Sequence, residues 1–239
     1  MSSAFMTLYT GLAREGPGEA ADVAWAADLL DLPPDAAICD AGCGSGGDIG
    51  ALLDAAPHGH VTAIDRAPEF IAAVAQDWAA DDRVTPQLGD MAALRGAYDL
   101  IWSAGALYFL GVTKGLTAWR AALAPGGAVA FSEPCFFSAA PSDAARAFWE
   151  GYATTDAAGI GAQVHAAGFE TLGTRRVRDA GWQAYYQGLA ARIAQLRPAA
   201  DAELQAVLDE GAAEIAAWRA CRGETGYLLC VVRPLAEGA

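Results

Sequence analysis

From residue 36 to 132 the chain alternates short apolar runs with longer segments whose apolar positions recur at helical spacing. The runs read as strands at 36–40, 60–65, 84–88, 98–103 and 128–132. Between them the spacing predicts helices at 46–56, 68–79 and 112–123. Pro57 stops the first, and Pro68 opens the second, where its missing N–H costs nothing. Tyr98-Asp99-Leu100-Ile101-Trp102-Ser103 is mostly apolar, as expected of a strand covered on both faces. Alternation of this kind implies a doubly wound, mostly parallel α/β sheet. Upstream, residues 1–18 read as irregular and end in Gly16-Pro17-Gly18. A helix follows at 19–31, with Val23, Ala26, Ala27 and Leu30 on one face and Pro33-Pro34 at its end. Downstream, helices are expected at 141–155 and 159–167, then strands at 169–177 and 225–232. The last two strands are separated by Ala-rich helices at 181–196 and 201–220, broken at Pro198.

Length then bounds the organisation. The 239 residues suit one domain, 1–239, with residues 180–222 as a helical insert or cap within it. A hydrophobic share of 54% is ample for a core. The net charge of −14 repels phosphate backbones, so nucleic acid is not an expected partner. The five cysteines lack CxxC spacing, which speaks against a disulfide framework or a zinc site and for reduced thiols in the cytoplasm. No metal is expected. Met1 to Thr10 has no basic stretch leading into an apolar run, and no apolar stretch approaches the ~20 residues a bilayer requires. No membrane partner is expected, and a homodimer is left open.

Candidate chemistry gathers where open α/β sheets bind ligands, beyond the carboxyl ends of the strands. Ile38-Cys39-Asp40-Ala41-Gly42-Cys43-Gly44-Ser45-Gly46-Gly47 reads as a buried strand, a carboxylate, and a turn of small residues. Glycines let a ligand approach the backbone, while Asp40 favours a ligand carrying a positive group or hydroxyls over a bare pyrophosphate. Asp65, ending the second strand, is placed to accept bonds from both hydroxyls of a ribose. Gly89-Asp90-Met91 follows the third strand. Asp90 suits an adenine amino group and Met91 the ring face, although Asp90 is equally a good helix N-cap. Ser103-Ala104-Gly105-Ala106-Leu107-Tyr108 is a small-residue loop after the fourth strand, and an Asn-Pro-Pro-Tyr tetrapeptide is absent.

Together with Leu123-Ala124-Pro125-Gly126-Gly127, these elements resemble class I S-adenosylmethionine (SAM)-dependent methyltransferases over about 36–135. The resemblance implies strand order 3-2-1-4-5-7-6 in a seven-stranded sheet, with strand 7 antiparallel and supplied by Thr225–Val232. It also implies cofactor contacts from Asp40, Gly42, Cys43, Gly44, Asp65, Arg66, Asp90, Met91 and Ser103. A narrower group of bacterial small-molecule methyltransferases is similar at Arg14-Glu15-Gly16-Pro17-Gly18, at Trp102–Tyr108 and at Gly226-Tyr227. Relatives in that group often carry Glu where this chain has Ala104.

The function these features imply is methyl transfer from SAM to a small-molecule acceptor. A sulfonium donor is already activated, so alignment supplies much of the rate, at most about 7–11 kcal/mol. An oxygen acceptor would still want a base. Candidates are Glu133, just after the fifth strand, Tyr108, His165 and Tyr227. Trp149, Tyr152, Trp182, Tyr185 and Tyr186 read either as an acceptor pocket or as core. Two other readings stand beside this one: a nicotinamide-dependent oxidoreductase, and a SAM-binding protein without catalysis.

Overall fold

The computed structural model describes residues 2–236. Its centre is β1 (Ala37–Ala41), flanked by β2 (His60–Asp65) and β4 (Tyr98–Ser103) in parallel register. Successive side chains of a strand point to opposite faces. Accordingly Ile38 enters one hydrophobic core and Cys39 the other, and each core buries one side of the sheet. The full order is β3-β2-β1-β4-β5-β8-β7, where β3 is Val84–Leu88, β5 Leu123–Phe136, β7 Phe169–Arg176 and β8 Thr225–Pro234. β8 runs antiparallel to both neighbours. The expected topology is therefore present with one addition. Thr155–Asp156 form a two-residue strand, β6, that pairs with the end of β5. The strands read as 6 and 7 are β7 and β8.

Helices α3 (Ile49–Ala55) and α4 (Pro68–Asp77) cover the first half of the sheet, with Pro68 in the first turn of α4. α2 (Ala20–Leu30) begins with a capping box in which the Glu19 N–H donates to Asp22 at 2.9 Å. Asp22 is buried and pairs with Arg175 of β7, which ties the N-terminal segment to the far edge of the sheet. α5 (Val112–Trp119) and α7 (Ala157–Ala166) cover the opposite face. Between β7 and β8 lie α8 (Asp179–Leu196) and α9 (Ala202–Cys221), close to the helices expected at 181–196 and 201–220. No helix among the described residues is long and apolar enough to cross a membrane. All five cysteines are buried and unpaired.

Several boundaries depart from the sequence reading. Residues 1–18 are not all irregular. Ser3–Tyr9 form α1, capped by Ser2, whose Oγ accepts from the Phe5 N–H at 3.2 Å. Only Ala4 and Leu8 of this helix are buried, a pair four residues apart and too short a signal to register as periodicity. The helix expected at 141–155 is cut to α6 (Asp143–Phe148). Trp149 leaves it to donate to Thr225 Oγ1 at 2.6 Å, and Gly151 at φ +91° turns the chain away. The segment expected as helix to 123 leaves α5 at Trp119, tightens into a 3-10 turn over Arg120–Ala122, and gives way to a β5 much longer than 128–132.

Candidate active site

The turn after β1 is held open by backbone geometry. Gly42, Gly44 and Gly46 have φ of +79°, +53° and +88°, which L-residues with side chains rarely adopt. Gly42 is constrained twice, because a Cβ there would lie 2.5 Å from Ala106 Cβ in the loop after β4. The N–H groups of Gly42 and Cys43 donate to the Ile64 carbonyl at 2.8 and 3.0 Å, which locks the turn against the end of β2. Glu15 closes it from the other side. Its carboxylate accepts from the Ser45 N–H at 3.0 Å and the Ser45 hydroxyl at 2.6 Å, and burial pushes its pKa up.

Register sets the acidic rim. Asp40 pairs with Ala63 and Asp65 with Leu88, so both carboxylates emerge at the carboxyl edge of neighbouring strands. Asp65 accepts from the Gly44 N–H at 3.1 Å and the Ala67 N–H at 2.8 Å, one bond on each oxygen. A carboxylate oxygen carries two lone pairs, so each retains an acceptor direction. Asp40 is buried, and among the described residues no hydrogen bond to its side chain offsets the loss of water. Burial, then the neighbouring Asp48 charge, push its pKa well up, with Arg14 opposing. Arg14 donates to Asp48 at 2.8 Å, and Asp48 also accepts from the Trp102 indole N–H at 2.9 Å. The Arg14 Nε is buried without a partner among the described residues. Asp90 is the N-cap of a 3-10 turn over Met91–Ala93, accepting from the Ala92 N–H at 2.8 Å. That turn is fixed by the Trp119 indole N–H, which donates to the Met91 carbonyl at 2.6 Å.

These groups line one cavity of ≈ 610 Å³, within the size range of small-molecule sites. Its far end is aromatic. Tyr227 of β8 packs with Trp182 of α8 and with Trp149, at ring-centroid distances of 5.1 and 5.4 Å. Tyr9 of α1 and Tyr185 of α8 complete the wall. Arg192 anchors α1 there by donating to the Thr7 and Thr10 carbonyls at 3.0 and 3.3 Å. Phe109 and Tyr152, both largely exposed, stand at the mouth.

A family model described as a methyltransferase domain matches residues 38–127, the span that holds the glycine turn and the acidic rim. The chain is 37% identical over 119 residues to the trans-aconitate 2-methyltransferase of Streptomyces avermitilis, an alignment covering 45% of this chain. It spans 44% of that relative, less than half its length. Among solved structures, a SAM-dependent methyltransferase from Geobacter sulfurreducens in complex with S-adenosylhomocysteine superposes with a TM-score of 0.83. The match covers 98% of each chain at 20% identity. A SAM-dependent methyltransferase from Thiobacillus denitrificans, also with S-adenosylhomocysteine, gives 0.80 at 17% identity, covering 98% of this chain and 99% of that one. At such identities the structural likeness fixes the fold.

Around the glycine turn after β1, the structure brings together Asp40, Gly42, Cys43, Gly44, Asp65, Arg66, Asp90 and Met91, with Tyr108 at the aromatic side. Three other expected site residues lie elsewhere. Ser103 is buried and donates to the Ala41 carbonyl at 2.8 Å, so its hydroxyl joins β4 to β1 and does not line the cavity. His165 lies exposed on the last turn of α7, outside the cavity. Glu133 faces a separate cavity of ≈ 290 Å³ behind Tyr108, shared with Lys114. Its Oε2 is buried without a partner among the described residues, and burial pushes its pKa to about 8. Tyr108 and Tyr227 touch through their hydroxyls at 3.4 Å. Burial raises both phenols, so neither is a ready base at neutral pH. Sequence reasoning gave no site role to Glu214 of α9, which lines the aromatic end and accepts from the Tyr186 hydroxyl at 2.9 Å. A lone glutamate on an Ala-rich helix carries no signal of that kind.

Proposed function

We propose that this protein is a SAM-dependent methyltransferase acting on a small-molecule acceptor. The observation that carries the reading is one continuous cavity with a glycine turn and acidic rim at one end and an aromatic chamber at the other. The residues fit the cofactor. Asp40, buried and with no side-chain hydrogen bond among the described residues, suits the amino group of the methionine portion. Arg14 retains an unpartnered donor for its carboxylate. Asp65 keeps acceptor directions for a ribose diol, and Met91 with Asp90 borders the adenine position. Gly42 and Gly44 hold the turn at positive φ, where a Cβ would run into Ala106 or Glu15. When bound, SAM supplies a methyl group on a positively charged sulfur, ready for in-line displacement.

What the chain contributes is alignment and exclusion of water. The aromatic walls hold the acceptor, α1 covers that end, and the rigid turn fixes the donor's position. Glu133, with its pKa near 8, stays largely protonated at neutral pH and is not assigned as the base. Five buried free thiols suit a reducing, cytoplasmic setting. The test is incubation with SAM carrying a labelled methyl group and a panel of small acceptors, following S-adenosylhomocysteine release. Acceptor-dependent release is expected. Release at the same rate with no acceptor, or none with a panel spanning alcohols, carboxylates, amines and thiols, would contradict it.

A further inference from the structure

The aromatic chamber has a composition that selects by charge. Its walls are lined by Tyr9, Trp149, Trp182, Tyr185 and Tyr227, and among the described residues the acid lining that end is Glu214. Ring faces attract cations through their quadrupole, more strongly where water is excluded. Glu214 Oε1 takes the Tyr186 hydroxyl, and Oε2 has no hydrogen-bond partner among the described residues. The basic side chains lining the cavity, among the described residues, are Arg14 and Arg66. Both stand at the cofactor end, and Arg14 is already bonded to Asp48. Among the described residues no basic side chain lines the aromatic end, so a polycarboxylate acceptor would find hydroxyl donors there but no lining counter-charge.

We propose that the acceptor is an amine, bound as its ammonium ion in the aromatic box with Glu214 as the counter-charge and proton acceptor. This rests on the methyltransferase reading given above. In the reaction the ammonium proton passes to the Glu214 carboxylate. The freed nitrogen lone pair forms the new N–C bond as the methyl–sulfur bond breaks, and sulfur keeps that bonding pair as a neutral thioether. The acceptor becomes an ammonium carrying one more methyl group, which the box holds by the same forces.

The test uses the full chain saturated with S-adenosylhomocysteine and reads tryptophan fluorescence and calorimetric heat. Three probes are titrated: choline, its neutral carbon isostere 3,3-dimethyl-1-butanol, and citrate. Choline is expected to bind at least tenfold tighter than the isostere, with citrate weakest. Glu214→Gln is expected to remove most of that preference while leaving S-adenosylhomocysteine affinity unchanged. Equal binding of choline and the isostere, tighter binding of citrate, or no choline binding at tens of millimolar would each overturn the assignment. If Glu214→Gln does not fold, the wild-type ratio of choline to isostere still decides. The S-adenosylhomocysteine titration on the same sample separates the two levels. If that ligand binds and choline does not, the amine assignment alone fails; if it does not bind, the methyltransferase reading fails first.

Discussion

The two ends of the cavity are built by different rules. At the cofactor end, Arg14 and Glu15 apart, the functional groups fall between Asp40 and Met91, each at or just beyond the carboxyl end of a parallel strand. Strand register brings these strand-end groups together, and backbone constraints hold them there. At the aromatic end the groups come from α1, the loop after β4, the segment around Trp149, the inserted helices and β8, with residue numbers from 5 to 227. No local rule places Tyr9 beside Tyr185, and only packing of α1 against the insert does so. The first end is thus a property of the sheet, and the second of what has been laid over it. Separation of this kind lets one end of a cavity stay fixed while the other is refitted.

Variants should divide along that line. The largest effect is expected from Trp182→Ala in the aromatic lattice. Trp182 is buried and stacks on Trp218 at 5.9 Å, and truncation of such a ring costs about 3–5 kcal/mol. Chemical denaturation should show that loss, while S-adenosylhomocysteine affinity of the folded protein stays within threefold. A comparable loss of cofactor affinity would show that the two ends are not independent.

Glu133 gives a pH test beside the aromatic end. Its folded pKa, about 8, is raised by burial above the ordinary 4.5. An acid shifted upward favours folding fully below its unfolded pKa, and the advantage drains away as pH rises toward the folded value. The wild type should therefore lose stability between about pH 4.5 and 8 through this group, on the order of a few kcal/mol. Glu133→Gln should flatten that part of the melting-temperature profile. Superimposable profiles would show that the carboxyl is solvated.

Next in size, Asp65→Ala should weaken S-adenosylhomocysteine more than tenfold by calorimetry while the melting temperature moves little. It is the mirror image of Trp182→Ala. The smallest effect belongs to neither end. Asp209→Asn breaks an exposed ion pair with Arg197 at 2.7 Å and should change stability by less than about 1 kcal/mol. A larger change would mean that the insert depends on surface charge more than on its apolar face.

The same division explains what could be read from the chain. The parallel core and its order were legible because buried strands and helical spacing alternate without interruption from 36 to 132. The carboxylates Asp40 and Asp65 were legible because a strand end determines where its residue points. Ser103 shared that position but not the outcome. It faces Ala41, and its hydroxyl satisfies a buried carbonyl. His165 was chosen for its chemistry alone, and helix spacing put it in solvent. Glu133 was expected just after a strand, yet β5 runs on to Phe136, so Glu133 lies within it and lines a second hollow. The aromatic residues of the insert were open between core and pocket, and the structure makes several of them both. Trp182 is buried in the core cluster and lines the cavity.

Titration of the full chain with S-adenosylhomocysteine and with NAD, side by side in one calorimeter, tests the donor site most directly. Micromolar binding of the adenosyl thioether, with none of the dinucleotide, is the predicted result. Binding of NAD alone would contradict the account.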